Sequence, residues 1–425
     1  MLSFASPVPC LSFLVVLFFV DNFPPITWNT VEMKGLIISP VPSHPTTSGN
    51  AARILALGSE LQRQGHEVWF LYCDFQQGDT VAMERHWGSR FVRHSYQKPW
   101  KKHRLAIGAI PVPDRWHGWF VRRGLAYQKL DHYYDPSLDD VLRDLQNLQK
   151  FDFVICEYVF FSKALEAFPP TVRKLLDTHD VYSNRHLLFN ANNQSPEWFY
   201  TTPSEEALGL MRADCVLAIQ DREKLFFEKL AKGRREIVTV GHFVEPKQWK
   251  TSGPFNNLLF AGFGNTLNTL AIQKFLAEIW PGLLMRAPEM RLLIAGSVCR
   301  HLSESRGVTL LGTVDPVDDA YRQADMAINP IAFGTGLKIK SLEALAFGLP
   351  LVTTPCGAEG LEEGDGRAFI TASSDGDFCN ALIALHRNPE QASALSRGAL
   401  VFARDYRSRQ VSNLTRAVTG SATSK

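Results

Sequence analysis

Short apolar runs alternate with helical patterns along nearly the whole chain, and this alternation limits the possible folds more than any other feature. Alternation of this kind is typical of βαβ units and parallel sheets. The first set of predicted strands covers residues 36–39, 68–73, 153–157, 174–178, 215–219 and 237–240. The second set covers residues 258–261, 290–295, 308–311 and 326–329. We therefore predict an α/β protein with two doubly wound, Rossmann-like domains that face one another across a cleft.

The length of the chain and one polar stretch predict where the two domains meet. A chain of 425 residues, 45% of them hydrophobic, is longer than a single core usually organises. Residues 246–254 are polar and bracketed by prolines, as expected of an interdomain linker. We predict an N-terminal domain over residues 34–248 and a C-terminal domain over residues 249–425. Ligands of such sheets bind beyond the carboxyl ends of the strands, so we expect the site in the cleft.

The first 33 residues form an apolar leader that we do not expect to belong to the fold. Residues 11–20 are apolar and uncharged, but no lysine or arginine precedes them and no small-residue cleavage pattern is evident, unlike in a signal peptide. A membrane span needs about 20 apolar residues, and this stretch approaches that length only if two prolines are included. We expect translation to begin at Met33. A membrane anchor is the alternative if the mature chain keeps residues 11–20.

Charge is distributed unevenly along the chain. The formal net charge of +2 argues against nucleic-acid binding. Residues 85–123 nevertheless contain ten Lys or Arg residues and one acid, Asp114, together with four tryptophans. Because cations and tryptophans can bind an anionic bilayer, we expect this segment to contact the inner face of a membrane peripherally. There are two alternatives: the charge of the segment guides a lipid-diphosphate acceptor, or the segment is an ordinary solvated face.

The cysteine pattern indicates the redox compartment. The seven cysteines form an odd-numbered set without a Cys-x-x-Cys pair, and most lie in apolar, strand-like runs. Reduced core thiols are therefore expected rather than disulfides or metal ligands. We predict a cytoplasmic location, because such usage is typical of a reducing compartment.

Residues 333–350 combine a glycine-bracketed turn, a helix and a glycine that ends the helix. Gly334 and Gly336, on either side of Thr335, allow a ligand to approach the backbone closely because they have no Cβ. The open first turn of a helix attracts phosphate, since its N–H groups have no partner within the helix. We therefore predict that this turn binds a phosphate group, and that Gly348 ends the helix.

Two charged residues on the predicted helix complete a pattern that suits a nucleotide sugar. Lys340 and Glu343 stand three residues apart and so share one face of the helix. The cation can meet a diphosphate, with Lys338 as a second candidate, while the carboxylate accepts hydrogen bonds from sugar hydroxyls. We expect Lys340 to stabilise the charge on a departing diphosphate. A surface Lys and Glu on any helix between two glycines would show the same spacing.

This stretch, Gly-Thr-Gly-Leu-Lys-Ile-Lys-Ser-Leu-Glu-Ala, resembles the donor-site segment Gly-Ser-Gly-x-x-x-Lys-x-x-Glu-Ala of retaining GT-B glycosyltransferases of the family 4 type, or glycosyl transferases group 1. The resemblance covers about residues 34–405 and implies a GT-B fold, retention of anomeric configuration and independence of metal. It implies that the N-terminal domain is the acceptor side and that the C-terminal domain binds the nucleotide sugar. It also implies that Glu343 binds the ribose of the nucleotide. Many relatives carry a second Glu, which contacts the transferred sugar, at the position of Thr335, so the identity of the sugar stays open. It also implies that the last helical stretch, residues 389–406, crosses back to the first domain.

Two further loops, each between a predicted strand and a helix, match this family. Ser48 and Gly49 lie where the family uses a glycine loop at the domain interface, although Ser48 could simply cap the helix. Gly262 and Gly264 lie where the family brings a glycine loop to the diphosphate. The second loop also resembles the start of a dinucleotide-binding fingerprint. It lacks the third glycine, and no ribose-binding acid is evident, so a nicotinamide cofactor is not expected.

His179 follows a predicted strand, between Asp177 and Asp180, at the edge of the expected crevice. Histidine titrates near neutral pH, and a neighbouring carboxylate can fix its tautomer. A satisfied loop histidine would give the same pattern, but relatives in the resembling family carry His-Asp here and use the His to contact the donor or acceptor sugar. We predict that His179 is catalytic, as hydrogen-bond donor or proton relay, and that Arg185 binds a phosphate or an anionic group of the acceptor. The aspartates lack the paired-acid arrangement of metal-dependent transferases, so no metal is expected.

These patterns together predict a hexosyltransferase that moves a sugar from a nucleotide diphosphate sugar to a glycan or lipid-linked acceptor in polysaccharide biosynthesis. The predicted catalytic residues are His179, Lys340 and Glu343, and no cofactor beyond the sugar nucleotide is expected. A nucleotide-sugar 2-epimerase would share the architecture, but it needs acid/base carboxylates that the sequence does not reveal. An inactive nucleotide-sugar-binding subunit is the non-enzymatic alternative, and only Thr335 favours it.

Overall fold

The computed structural model describes residues 31–97, 106–107, 110–123, 125–196, 198–247 and 253–420. The strands within them are β1 (Lys34–Ser39), β2 (Glu67–Cys73), β3 (Phe91–His94), β4 (Ala106–Ile107), β5 (Ile110–Pro111), β6 (Phe153–Glu157), β7 (Arg173–Asp177), β8 (Cys215–Ala218), β9 (Glu236–Thr239), β10 (Asn257–Ala261), β11 (Arg291–Ala295), β12 (Val308–Gly312), β13 (Met326–Asn329), β14 (Leu351–Thr353) and β15 (Phe369–Thr371). They form two large sheets and one small antiparallel pair, β4 with β5.

Both large sheets are parallel and doubly wound. The first has the strand order β3-β2-β1-β6-β7-β8-β9, and the second has the order β12-β11-β10-β13-β14-β15. In each sheet the direction of winding reverses once, between β1 and β6 in the first and between β10 and β13 in the second. Ligands of open parallel sheets bind at such reversal points. The predicted fold class, two Rossmann-like domains, is confirmed.

Helices cover both faces of each sheet and bury the central strands. The helices are α1 (Gly49–Arg63), α2 (Thr80–Trp87), α3 (His117–Arg122), α4 (Leu138–Gln149), α5 (Arg185–Ala191), α6 (Pro203–Leu210), α7 (Asp221–Ala231), α8 (Thr266–Lys274), α9 (Trp280–Arg286), α10 (Asp318–Tyr321), α11 (Ile339–Ala346), α12 (Asp375–Arg387) and α13 (Pro389–Thr419). Short 3-10 segments are Gly88–Arg90, Asp114–Trp116, Leu130–Tyr133, Val159–Ala167, Ser297–His301 and Glu362–Gly364, and a π-helical segment, Phe275–Ile279, joins α8 to α9.

The central strands explain why the sequence shows continuous apolar runs. Every residue of β6, β8 and β13 is buried. A strand covered on both faces gains from apolar residues at every position, so the alternation of apolar and polar residues seen in half-exposed strands is lost. The strands β3 and β15 escaped prediction because they are short and lie at sheet edges, where residues are partly exposed.

The last helix is longer than predicted and contacts both domains. Residues 389–406 were the predicted span, but α13 continues to Thr419. Its first half packs on α11, α12 and β15, and its second half packs on β7 and β9. Gln410 accepts a hydrogen bond from the Gly241 N–H at 2.8 Å, and the Ala417 carbonyl accepts one from Arg173 Nε at 2.5 Å. The polar run after Tyr406 hid the apolar residues that hold this second half on the first sheet.

Two other expectations need correction or lie outside the described residues. The pattern of residues 317–324 also favours a helix, but the helix found there is one turn long, Asp318–Tyr321, because the chain soon enters β13. The apolar leader up to residue 30, linker residues 248–252 and residues 98–105 of the basic segment lie outside the described part of the chain. None of the helices in the described part is long and apolar enough to span a membrane. The six cysteines that are described are free thiols, and three of them lie buried in strands.

Candidate active site

A cavity of about 540 Å³ lies at the carboxyl ends of the strands of both sheets. Loops that follow β1, β6 and β7 form one wall, and loops that follow β10, β12 and β13 form the other, together with the start of α11. Nine of the eleven predicted site residues line it: Gly49, His179, Arg185, Gly262, Thr335, Gly336, Lys338, Lys340 and Glu343. The structure therefore brings both halves of the predicted site together.

The two remaining glycines do not line this cavity. The Gly264 N–H donates to Ser297 Oγ at 2.9 Å and so fixes the loop that follows β10. Gly334 has a φ of 142°, which is open to glycine but strained for other residues. Both glycines shape loops whose other residues reach the cavity. Their predicted direct contact with the donor stays a prediction.

Lys340 extends from the first turn of α11 toward the glycine loop of the second domain. Its Nζ hydrogen-bonds to Asn268 Oδ1 and lies 4.5 Å from the ring centroid of Phe260. Asn268 in turn donates to the Phe263 carbonyl at 2.8 Å, so the loop holds the amine in place. Burial lowers the pKa of Lys340 to about 7, against the opposing effect of the Glu343 carboxylate. A desolvated amine of this kind gains strongly from an anionic ligand, which would restore its charge.

Glu343 lies one helical turn after Lys340, on the same face, as the sequence spacing predicts. Its Oε2 accepts a hydrogen bond from the Tyr321 hydroxyl at 2.8 Å. The Tyr321 ring is buried and stacks on Phe347, with ring centroids 4.9 Å apart. Burial raises the pKa of Glu343, although Tyr321 and Lys340 oppose the shift. The hydrogen bond from Tyr321 therefore fixes the orientation of the Glu343 carboxyl group, which lines the cavity.

The turn that was predicted to bind phosphate differs in detail from the prediction. The helix α11 begins at Ile339, beyond the glycine turn, and Lys338 is its N-cap residue. The Gly336 N–H donates to Glu223 Oε1, from α7 of the first domain, at 2.9 Å. Lys338 is buried, and its Nζ donates to the carbonyl oxygens of Thr335 and Gly336 at 3.3 and 2.9 Å. Lys338 thus stabilises the turn itself. The Gly336 N–H, which was expected to face phosphate, is already hydrogen-bonded to the Glu223 side chain.

Residues from the two domains meet closely at this turn. Gly336 has a φ of 75°, and a Cβ on it would lie 3.4 Å from the His179 carbonyl oxygen. Both the left-handed backbone and the close approach favour glycine there. Gly49 faces the side chain of Ile339 across the cavity. Ser48, which could have capped α1, instead donates to Asn50 Oδ1 at 2.5 Å.

His179 lies against a carboxyl group that its neighbours in sequence do not supply. Its Nε2 is 2.5 Å from Glu157 Oε2, at the end of β6, and 3.7 Å from Asp177 Oδ2. The imidazole stacks on the Tyr158 ring, with centroids 4.0 Å apart and an interplanar angle of 8°. His179 and Tyr158 both have positive φ, 61° and 72°. Strained backbone at two adjacent strand ends is typical of functional sites, where the surrounding structure must hold it in place.

A fully buried ion pair supports this cluster. Arg53, from α1, donates to both carboxylate oxygens of Asp177 at 2.7 and 2.8 Å, and to the Val240 carbonyl at 2.7 Å. Burial alone would raise the pKa of Asp177, but the charge of Arg53 and its hydrogen bonds lower it. Ligand atoms of Glu157, Asp177 and His179 lie within 4.8 Å of one another, as in some metal sites. Arg53 already supplies the positive charge here, so these groups form an ionic and hydrogen-bonded network.

Arg185 lies at the wall that the first domain forms. Its Nη1 is 3.3 Å from Asp180 Oδ2, and its guanidinium lies over the rings of Tyr182 and Phe189. The loop that carries these residues is held by Glu206, a buried carboxyl group that accepts from the N–H groups of Tyr182 and Ser183 at 3.0 and 2.8 Å. A contact between Arg185 and the acceptor stays a prediction.

Sequence reasoning missed several residues that position the site. They are Arg53, Glu157, Tyr158, Glu223, Asn268 and Tyr321. Glu157 carried one usable signal, because it is a charged residue that closes the apolar run of β6 at the strand end where ligands bind. The others face the site only because distant elements pack together.

Comparison with known proteins agrees with this geometry. The family described as "Glycosyl transferases group 1" matches residues 256–388. These residues contain all strands of the second sheet and the helices α8 to α12, but α13 lies beyond them. An uncharacterized 44.6 kDa protein in the cps region of Klebsiella pneumoniae is 24% identical over 292 residues, which are 64% of this chain and 74% of the relative.

Solved structures extend the likeness to the whole described fold. The pneumococcal O-GlcNAc transferase GtfA, solved in complex with UDP and GlcNAc, is 12% identical with a TM-score of 0.63, covering 92% of this chain and 99% of that one. Anabaena HepE, solved in complex with UDP and glucose, is 12% identical with a TM-score of 0.59 and the same coverages. At such identities these likenesses show the fold. Residues 256–388 belong to the glycosyl transferases group 1, and the protein is a glycosyltransferase with the GT-B fold.

Proposed function

We propose that this glycosyltransferase transfers a hexosyl group from a UDP-sugar to a glycan or lipid-linked acceptor, with retention of anomeric configuration, in polysaccharide biosynthesis. One observation carries the proposal: Lys340 and Glu343 face His179 across a single cavity that both domains line. The UDP seen in GtfA and HepE supports UDP as the nucleotide, and the sequence resemblance supports retention. The cytoplasm is the proposed location, in keeping with the free, buried thiols.

In the proposed reaction, the second domain binds the sugar nucleotide and the first domain binds the acceptor. Cleavage of the donor bond moves negative charge onto the departing diphosphate. Lys340 stabilises that charge, because its partly buried amine is held against Asn268 rather than against a carboxylate. Glu343, oriented by Tyr321, binds the ribose hydroxyls. His179 contacts the transferred sugar or the acceptor from the opposite wall.

A donor panel tests this function. We expect UDP release from at least one of UDP-glucose, UDP-galactose and UDP-GlcNAc when a lipid and oligosaccharide extract is supplied as acceptor. Glu343→Ala is expected to remove this release, whereas Glu304→Ala, on an exposed loop, serves as the matched control. Epimerised donor formed without acceptor would identify an epimerase instead. UDP binding without turnover on any donor would identify a binding subunit.

We also propose that the basic segment holds the enzyme at an anionic membrane. Trp116 and Trp119 are 48% and 45% exposed, and Arg123 lies 4.2 Å from the centroid of the Trp119 ring. Each basic residue near a bilayer contributes about 1 kcal/mol, so Arg115→Gln with Arg123→Gln is expected to weaken binding to phosphatidylserine vesicles about 30-fold. Arg143→Gln, on the exposed face of α4, is the control. Unchanged recovery of the double variant by vesicle sedimentation would contradict membrane contact.

A further inference from the structure

We propose that Glu157 is a positioning residue that fixes the tautomer of His179: the O–H of its uncharged carboxyl group donates a hydrogen bond to Nε2, so that Nδ1 carries the imidazole proton. The inference rests on the proposed function in one respect, the role of His179 toward the sugar. It adds a residue that does not line the cavity and that is 22 positions away from His179 in the sequence.

The distance between the two groups requires one proton between them. Glu157 Oε2 and His179 Nε2 are 2.5 Å apart, and both side chains are buried. Either a charged Glu157 accepts from a protonated Nε2, or an uncharged Glu157 donates to a bare Nε2. The first arrangement leaves a free Nδ1 acceptor in neutral imidazole, and the second leaves an Nδ1–H donor. The two arrangements therefore differ in what His179 can offer a substrate.

The charges around the pair decide between them. Arg53 is the cation that faces this cluster, and Asp177 takes both of its short carboxylate contacts, while Val240 takes a third. A charged Glu157 would add a second buried carboxylate beside Asp177 without a cation of its own. The remaining charged group near the imidazole, Asp180, is paired with Arg185. The charge of Arg53 thus balances the charge of Asp177. A charged Glu157 would have no counter-charge, so we infer that Glu157 is uncharged.

The titration behaviour of the groups agrees with this geometry. Burial, followed by the charge of Asp177 and a hydrogen bond with it, raises the pKa of Glu157 well above its usual value, and the charge of Arg53 opposes this shift. Burial also lowers the pKa of His179 to about 4. Both shifts favour the uncharged forms of the two groups, as the charge balance does.

The consequence is an Nδ1–H donor on an imidazole that lines the cavity. The ring plane is fixed by stacking on Tyr158 at 4.0 Å, and the position of the backbone is fixed by the left-handed conformation of His179. An Nδ1–H donor is suited to a sugar hydroxyl or to an oxygen that gains negative charge during transfer.

The tautomer can be measured without a substrate. Histidine labelled with ¹⁵N in the full chain, with His179 assigned through His179→Gln, reports which ring nitrogen carries the proton. We expect Nδ1–H from pH 5.5 to pH 8 in the wild type and in Glu157→Gln, whose amide can donate to Nε2 in the same way. Glu157→Ala should lose this preference. A proton found on Nε2 of the wild-type ring would overturn the proposal.

Activity on the donor that reacts fastest in the panel gives the second readout. Glu157→Gln is expected to keep kcat within about threefold of the wild type. Glu157→Ala is expected to lower kcat about 10- to 100-fold, which is less than the loss caused by removing a catalytic hydrogen-bond donor completely. Glu60→Gln, at another buried glutamate, controls for general effects of burial. A folded Glu157→Gln that is as inactive as Glu157→Ala would show that the charge is needed and would refute the inference. Full activity of His179→Gln would instead remove the proposed role of His179 and leave the tautomer result standing.

Discussion

Lys340→Met is expected to lower kcat about 100- to 1000-fold, the loss typical when one group that stabilises developing charge is removed. Asn268 and the Phe260 ring hold the Lys340 amine at the cavity, so we expect its side chain to meet a diphosphate in its present conformation. Steady-state UDP release measures the effect. Lys274→Met, at a surface lysine paired with Asp375, is the matched control and should behave as the wild type. A Lys340→Met enzyme with more than a tenth of wild-type kcat would contradict the role given to this residue.

The same lysine makes nucleotide binding depend on pH. Burial lowers the pKa of Lys340 to about 7, so the amine is charged below pH 7 and increasingly neutral above it. An anionic diphosphate favours the charged form, and binding above pH 7 must therefore take up a proton. The affinity for UDP should fall by up to about tenfold per pH unit between pH 7 and pH 9. Calorimetry in buffers of different ionisation enthalpy measures the proton uptake, and Lys340→Arg, which stays charged, should abolish it.

Arg53→Met is expected to cost about 3–5 kcal/mol in the free energy of unfolding. The substitution leaves Asp177 buried and charged beside Glu157, without the guanidinium that now binds both of its oxygens. The melting temperature of the first domain should fall by roughly 10 °C in a calorimetric scan.

Two further variants isolate the cause of this loss. Arg53→Met combined with Asp177→Leu removes both charges and should recover part of the stability, because a buried apolar pair needs no counter-charge. Arg143→Met breaks an exposed pair with Asp140 and should have little effect, since water screens such pairs. If Arg53→Met melts like the wild type, the buried pair does not stabilise the domain as described.

The parts of the site that the sequence predicted are those set by local geometry. Lys340 and Glu343 share a helix face because of helical spacing alone, and Gly348 has the left-handed φ of 66° that ends the helix. The parallel strands were visible because burial on both faces demands apolar runs. These features need only the residues within one turn of a helix or one strand.

The parts that escaped prediction depend on pairs far apart in the chain. Arg53 and Asp177 are 124 residues apart, Glu223 and Gly336 are 113 apart, and Glu157 meets His179 only because β6 and β7 are neighbours in the sheet. Asp180, the obvious partner for His179 by sequence, pairs with Arg185 instead. A single sequence does not indicate which of these distant residues will pair, because each of them looks like an ordinary polar or charged residue in its own segment.

The long final helix makes the two domains depend on one another for stability. A helix of 31 residues is about 46 Å long. Its first half packs on the second sheet and its second half packs on the first sheet. The Tyr406 hydroxyl lies so close to Gly241 that a Cβ on this glycine would be only 1.8 Å away. A side chain at position 241 would therefore displace the tyrosine or the helix, and the disturbance would reach both domains.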